Sequence, residues 1–276
     1  MKKRVDFSFF IKIIAYLRYL PFIILKIKNW QIFLLNYTGV KDKGEIFEFR
    51  NGLKIKTEDA ISAATIAVIF IKKDYGYVEE NSVIIDIGAN IGVYSLYAVQ
   101  SKNTKVFAFE PMINNYNLLK ENIRLNKLEK NIIAFNLAVG AKEEKRKLYL
   151  GESPFPSFLP ISSSPFNASY GNSKKEEAQK YVEISCTPLK DVFDKNSIEK
   201  CDILKMDCEG AEFEILYNLP EEYFKRIKEI RMEYHNHLSD KKNNVEFLMN
   251  FLKQKGFVAK KFKKGSEYQG DLWLAR

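Results

Sequence analysis

The chain has 276 residues, 46% of them hydrophobic and 14% aromatic. That is enough apolar side chain for one large buried core, and it excludes a disordered chain. The formal net charge is +9, and Cys186, Cys201 and Cys208 form no Cys-x-x-Cys pair or metal-ligand spacing, so a cysteine metal site is excluded and a reducing, cytoplasmic setting is expected.

Residues 1–44 read as a basic, apolar helical extension. Residues 1–36 hold seven Lys or Arg, at 2, 3, 4, 12, 18, 26 and 28, against the single acid Asp6, a net of +6. The charges interrupt the apolar run before it reaches the roughly 18–20 residues of a spanning helix. No small-residue cleavage site of a secretory signal follows. Two helices broken near Pro21 are expected. Two readings stay open: helices packed on the rest of the chain, or a segment lying on an anionic membrane surface, peripheral on the inner face.

Residues 45–78 read as a hairpin and a helix. Ile46–Arg50 and Leu53–Lys56 flank Asn51-Gly52, a strong hairpin signal. Thr57, Glu58 and Asp59 open a helix over 58–73. The main domain spans 79–276. Strands are expected at 83–87, 105–109, 131–137, 201–206, 228–233, 257–262 and 268–275, and helices at 91–101, 112–126, 212–218 and 242–255. This alternation predicts an α/β fold with a mostly parallel sheet. Residues 151–180 hold Pro154, Pro156, Pro160 and Pro165. They read as a loop insertion and a candidate lid.

Val83–Gly92 carries the chemistry. A buried strand ends at Asp86, and Gly88 and Gly92 follow before a new apolar pattern begins. That is strand, tight loop and helix, the first turn of a nucleotide-binding sheet. The third glycine of a dinucleotide fingerprint is missing, and a carboxylate at Asp86 would repel a pyrophosphate. It would suit the ammonium and sulfonium of S-adenosylmethionine. A plain turn with an acid capping the next helix is the bland alternative. Glu110 ends the second strand, 24 residues after Asp86, about the offset at which an acid meets a ribose in such folds.

These pieces, with Phe109-Glu110-Pro111, Asn136-Leu137-Ala138-Val139-Gly140 and Leu204-Lys205-Met206-Asp207-Cys208-Glu209-Gly210-Ala211-Glu212, resemble the FkbM family of S-adenosylmethionine-dependent methyltransferases over roughly residues 45–262. The resemblance implies a Rossmann-like class I methyltransferase fold: a mostly parallel seven-stranded sheet with an antiparallel last strand. It implies methyl transfer, usually to an oxygen on a small molecule or glycan. The cofactor would lie against Asp86, Gly88, Asn90, Gly92, Glu110, Pro111, Asn136 and Ala138. Cys208 replaces a common aliphatic residue, and Thr187-Pro188-Leu189-Lys190-Asp191 departs from the usual Thr-Leu-Asp. Both departures lie near the expected acceptor side.

Ligands of a doubly wound sheet bind outside the carboxyl ends of its strands. Asp207, Glu209, Glu233 and His235 fall there, beyond the cofactor acids, so they are the candidates for the acceptor site. Asp207, Glu209 and His235 are the candidate catalytic residues. Either a base or a metal can activate a hydroxyl. Asp207, Glu209, Glu233 and His235 could form an oxygen-rich site for a divalent cation, with Asp207 and Glu233 the first candidate ligands, which is not the favoured reading. His235 and His237 are more often polar rim residues, Lys205 a snorkelling strand lysine, and Asp207 or Glu209 structural acids. No Asn/Asp-Pro-Pro-aromatic loop and no Pro-Cys exists, which argues against DNA methylation. The acceptor is expected to be a small molecule, a glycan or a lipid-linked molecule. The alternatives carried forward are an RNA methyltransferase, a non-catalytic cofactor-fold binding module and a nicotinamide oxidoreductase.

Overall fold

The computed structural model describes residues 18–149, 181–236 and 242–276. Residues 1–17, the lid candidate at 151–180 and His237 lie outside the described residues.

Residues 18–26 are helical (α1). Trp30–Tyr37 forms α2, and Ile46–Glu48 (β1) pairs antiparallel with Lys54–Lys56 (β2). The expected break at Pro21 is not there, because helix runs through that residue. It ends instead where Ile27 bridges Phe49 and the Lys28 N–H donates to the Glu48 carbonyl. Pairing with the hairpin decides the boundary. The hairpin turns at Gly52, whose φ of 94° is a left-handed conformation that glycine adopts freely.

Ala60–Ile66 (α3) starts on an Asp59 cap whose carboxylate accepts the Ser62 N–H, and it continues as a π-helical stretch, Ala67–Lys72. The main sheet then builds through Val83–Ile87 (β3), Val93–Ala98 (α4), Lys105–Phe109 (β4), Ile113–Leu125 (α5) and Ile132–Phe135 (β5). Ala138–Gly140 (β6), Glu144–Tyr149 (β7) and Tyr181–Pro188 (β8) form a separate three-stranded sheet in the order β6–β8–β7. The strand expected at 131–137 therefore stops at Phe135. Leu189–Lys195 (α6), Cys201–Met206 (β9), Glu212–Tyr217 (α7), Glu221–Phe224 (α8), Ile227–His235 (β10), Val245–Gln254 (α9), Val258–Lys264 (β11) and Gln269–Ala275 (β12) complete the chain. The main sheet has the order β11–β12–β10–β9–β3–β4–β5. The pairs β10–β9, β9–β3, β3–β4 and β4–β5 are parallel, and β12 is antiparallel to both β10 and β11.

Alternate residues of the central strands feed two cores, as the period of two requires. Ile85, Ile87, Leu204 and Met206 face α6, α7 and α9. Ile84, Val106 and Ile203 face the other layer, which includes Ile23, Ile27 and Phe33 of the extension and Phe47 and Ile55 of the hairpin. The described part of the extension and the hairpin therefore share a core with the sheet. The free edge of β2 is closed by α5: Asn122 Oδ1 accepts the Lys56 N–H at 2.7 Å, and Asn126 Oδ1 accepts the Lys54 N–H at 2.8 Å. Among the described residues, no helix is long and apolar enough to cross a membrane.

Candidate active site

Residues of one parity along β3, β9, β10 and β12 make a row across a single face of the sheet. Asp86 is in register with Lys205, Lys205 with Arg231, and Arg231 with Trp273. Two residues further along, the same parity brings Gly88, Asp207 and Glu233 to the carboxyl edge, with His235 beyond. The site is built from this row.

Asp86 is fully buried, 3.1 Å from the Lys205 ammonium, and its second oxygen accepts the Ser95 hydroxyl at 2.6 Å. Lys205 also donates to the Gly88 carbonyl at 2.8 Å, and its ammonium lies 5.8 Å from the Tyr75 ring centroid. Burial alone would lower the Lys205 pKa, but Asp86 and Asp207 beside it raise it above the ordinary value. The expectation that Asp86 faces a cationic cofactor is corrected. Its charge is already paired inside the sheet, and it does not line the cleft.

The cleft measures about 340 Å³. Gly88, Ala89 and Asn90 line it on one side, beside Glu110, Pro111, Met112 and Asn115. Gly88 sits at φ 74°, and a Cβ there would fall 1.8 Å from the Asp207 carbonyl oxygen. The buried Glu110 carboxylate accepts N–H groups from Asn90 at 2.8 Å and Met112 at 2.9 Å. Burial pushes its pKa up to about 7 against those hydrogen bonds. Gly92, Asn136 and Ala138 do not line the cleft. A Cβ at Gly92 would meet Leu119, so that glycine serves helix packing. Asn136 donates to the carbonyls of Glu110 and Pro111 and braces the strand end from behind, while Ala138 is buried in β6.

Asp207, Cys208, Glu209, Glu233 and His235 line the other side. One ligand atom from each of Asp207, Glu209 and His235 lies within 4.8 Å of the others, so these three of the four expected candidates could converge on a cation. Glu233 accepts instead from Gln269 at 3.1 Å. Burial pushes Glu209 up to about 7 despite the opposing His235. Burial and the neighbouring Asp207 push Glu233 up to about 8.

Four further side chains of the site were not among those expected from the sequence. Glu212 is fully buried and lies 3.0 Å from His235 Nδ1. It also accepts N–H groups from Cys208 and Gly210, which shapes the loop. Burial would lower the His235 pKa, yet Glu212 and Glu209 raise it to about 10. The Tyr75 hydroxyl donates to Asp207 Oδ2 at 3.2 Å. Its segment is held by Arg231, which donates to the Tyr75 and Tyr77 carbonyls at 2.7 Å each, and by Trp273, which fills the space beside Gly76. Tyr94 and Gln269 complete the lining. The signal for Glu212 is its place inside the Asp207–Glu212 motif. For Tyr75 no local signal exists, because the register of distant strands places it.

A mostly parallel seven-stranded sheet with an antiparallel strand next to its edge, and an acid–glycine loop after its central strand, is the Rossmann-like class I methyltransferase architecture. The family model described as the methyltransferase FkbM domain matches residues 86–259. The chain belongs to that family. Methyltransferase sdnD of Sordaria araneosa is 28% identical over 178 residues, covering 58% of this chain and 69% of that one. Methyltransferase 1 of Beauveria bassiana is 25% identical over 205 residues, covering 69% and 78%. The crystal structure of methyltransferase FkbM from Methylobacillus flagellatus aligns with a TM-score of 0.51 at 14% identity, over 76% of this chain and 47% of that one. The chain thus spans about half of that solved relative, and the likeness is one of fold.

Proposed function

We propose that the chain transfers a methyl group from S-adenosylmethionine to a hydroxyl oxygen of an acceptor without phosphate: a small molecule, a sugar or a glycolipid. The observation that carries this reading is the convergence of Asp207, Glu209 and Glu233 on one cleft beside the Gly88–Asn90 loop.

The residues present suit the cofactor. Glycine-loop backbone, a buried acid at the end of β4 and the apolar Val93 and Met112 line one region of the cleft. That donor set matches vicinal hydroxyls and an aromatic base. Gly88, Ala89, Asn90 and Glu110 would hold it. When bound, S-adenosylmethionine supplies a methyl group on a positively charged sulfur. The protein must hold the acceptor hydroxyl against a base and take its proton. A carboxylate whose pKa lies near neutrality is fitted to that task. His235, held protonated by Glu212, acts instead as a hydrogen-bond donor and a counter-charge to Glu209.

The charge balance favours a hydroxyl acceptor over RNA. Lys205 is neutralised by Asp86 and His235 by Glu212, within the wall of the cleft. Asp207, Glu209 and Glu233 then line the acceptor side with carboxyl groups and leave no uncompensated cation facing it. A phosphate-rich strand would find no counter-charge there, whereas RNA-binding grooves are basic. The apolar Ile61, Ala64 and Val68 of α3 and the π-helical stretch line the same cleft and offer surface to a carbon skeleton.

The test is incubation with methyl-labelled cofactor and fractionated small molecules, glycans, lipids and RNA. Label on an ether oxygen of a phosphate-free product supports the reading. Label on RNA sinks it. Cofactor binding without transfer to any fraction would favour a binding module.

A further inference from the structure

We propose that the outer face of α1, together with the Lys72–Lys73–Tyr77 corner, rests on an anionic lipid bilayer. The helix has two unlike sides. Ile23 and Ile27 are fully buried against the hairpin and the π-helical stretch, while Phe22 is 52% and Leu25 70% exposed. Positions 18, 22 and 25 lie three and four apart, so exposed Arg18 shares the outward side with Phe22 and Leu25. Among the described residues, nothing covers these two apolar side chains on the outward side.

Cations surround the stripe. Residues 18–36 hold Arg18, Lys26 and Lys28 and no acid. Lys26 donates to the Phe70 carbonyl at 3.0 Å, which pins α1 along the π-helical stretch. The Lys72 ammonium lies 5.7 Å from the Tyr19 ring centroid, which ties that end of the stretch to α1. The Lys73 ammonium lies 4.0 Å from the ring of Tyr77, itself 71% exposed. Residues 67–78 carry Lys72 and Lys73 against Asp74. Burial, and then Lys73, lower the Lys26 pKa. Positive charge is thus crowded at this corner.

The combination selects the partner. Interfacial binding uses apolar side chains that enter the headgroup region, basic residues that meet anionic lipid, and aromatic residues at the boundary. A nucleic acid would use the cations and leave Phe22 and Leu25 idle. A second copy of the chain would bring like charges together. The segment that ends in Lys72 and Lys73 also walls the cleft through Ile61, Ala64 and Val68. Docking here would bring the cleft close to the lipid surface, a consequence that rests on the methyl-transfer reading. The docking itself does not.

The experiment is sedimentation of the full chain with phosphatidylcholine vesicles, with and without phosphatidylserine, at low and high salt. Binding only to phosphatidylserine vesicles, weakened by salt, is expected. Lys72→Gln with Lys73→Gln should weaken partitioning about fivefold per charge. Phe22→Ser with Leu25→Ser should weaken it at every salt concentration. Unchanged cofactor affinity in these surface variants would confirm an intact fold without any acceptor being known. The proposal is overturned if the full chain stays in the supernatant at low salt, or if both double variants sediment like wild type. It is also overturned if Phe22 and Leu25 are protected from solvent labelling in vesicle-free protein, which would mean that the chain itself covers the face. Binding to mixed-sequence RNA that ignores the Phe22 and Leu25 changes would likewise replace the bilayer with a nucleic acid.

Discussion

The Lys205 ammonium lies 3.1 Å from the Asp86 carboxylate in the middle of the sheet, with both side chains shut off from solvent. The register that pairs β3 with β9 places them directly opposite. The most recognisable acid of the sequence is therefore spent on holding a lysine. That lysine in turn grips the Gly88 carbonyl and so fixes the loop.

Removing one partner of such a pair strands a buried charge. Lys205→Met should cost about 3–5 kcal/mol of folding stability, read from urea unfolding. Asp86→Asn with Lys205→Met should recover part of that loss, because no charge is left unpaired. If Lys205→Met is as stable as wild type, the pair is not a structural anchor.

Glu110 has backbone N–H groups on both of its oxygens and faces the cleft. Glu110→Ala should weaken S-adenosylmethionine binding by about 1–3 kcal/mol, the usual cost of a lost charged hydrogen bond. Calorimetry measures it. Gly88→Ala should be worse, because its Cβ would collide with the Asp207 backbone and φ is left-handed. Normal cofactor affinity in Gly88→Ala would contradict the loop geometry.

Much of this was readable from the chain. Apolar runs of five or six residues ending in acids gave the central strands, since a strand buried on both faces carries no polar alternation. The Asn51-Gly52 turn and the Asp59 cap announced themselves locally. The pairing of β6, β7 and β8 into a small sheet has no local signature, because β6 is three residues long and its partner lies some fifty residues away. The break after α1 depends on a bridge to Phe49, a contact with no local signature. The candidate site followed the same division. Position at a strand end identified Glu110, Asp207, Glu209, Glu233 and His235 as cleft residues. It could not tell that Asp86 is spoken for, because that depends on which neighbour shares its row. A lysine inside the apolar run 201–206 was the available clue, since a cation in a buried strand requires an anion beside it.

The raised carboxyl groups set a pH dependence. Glu110, Glu209 and Glu233 reach about 7, 7 and 8 in the folded chain, from an ordinary 4.5. The folded state thus binds these protons more tightly than the unfolded one. Their stabilising contribution is full below pH 4.5 and is lost as pH rises through 7 to 8. The melting temperature of the cofactor-free protein should fall between pH 5 and 8, and Glu233→Gln should flatten the upper part of that fall. Methyl transfer should run the other way and rise through the same range as the base ionises. A melting temperature that climbs steadily from pH 5 to 8 would contradict the buried, proton-binding character of these acids.

His235 repeats that signature at higher pH, and Glu212 gives the opposite one. His235 is raised to about 10 by Glu212 and Glu209 against the effect of burial, while Glu212 itself is lowered by His235 against its own desolvation. The histidine's contribution to stability is complete below pH 6.5 and disappears as pH rises through about 10. Glu212's contribution is present above pH 4.5 and is lost as pH falls below it. In Glu212→Gln the imidazole loses its nearest anion and should titrate much closer to neutrality, followed by nitrogen chemical shifts of the ring. The variant should also lose stability, since a buried imidazolium is left with the more distant Glu209, 3.7 Å from Nε2, and Asp207. Both ring nitrogens of His235 already face carboxylates, Nδ1 at 3.0 Å from Glu212 and Nε2 at 3.7 Å from Glu209, and methyl transfer by the wild type should survive exhaustive chelation. Activity abolished by chelation and restored by added magnesium or manganese would instead make Asp207, Glu209 and His235 a cation site, with His235 neutral and Glu212 orienting it.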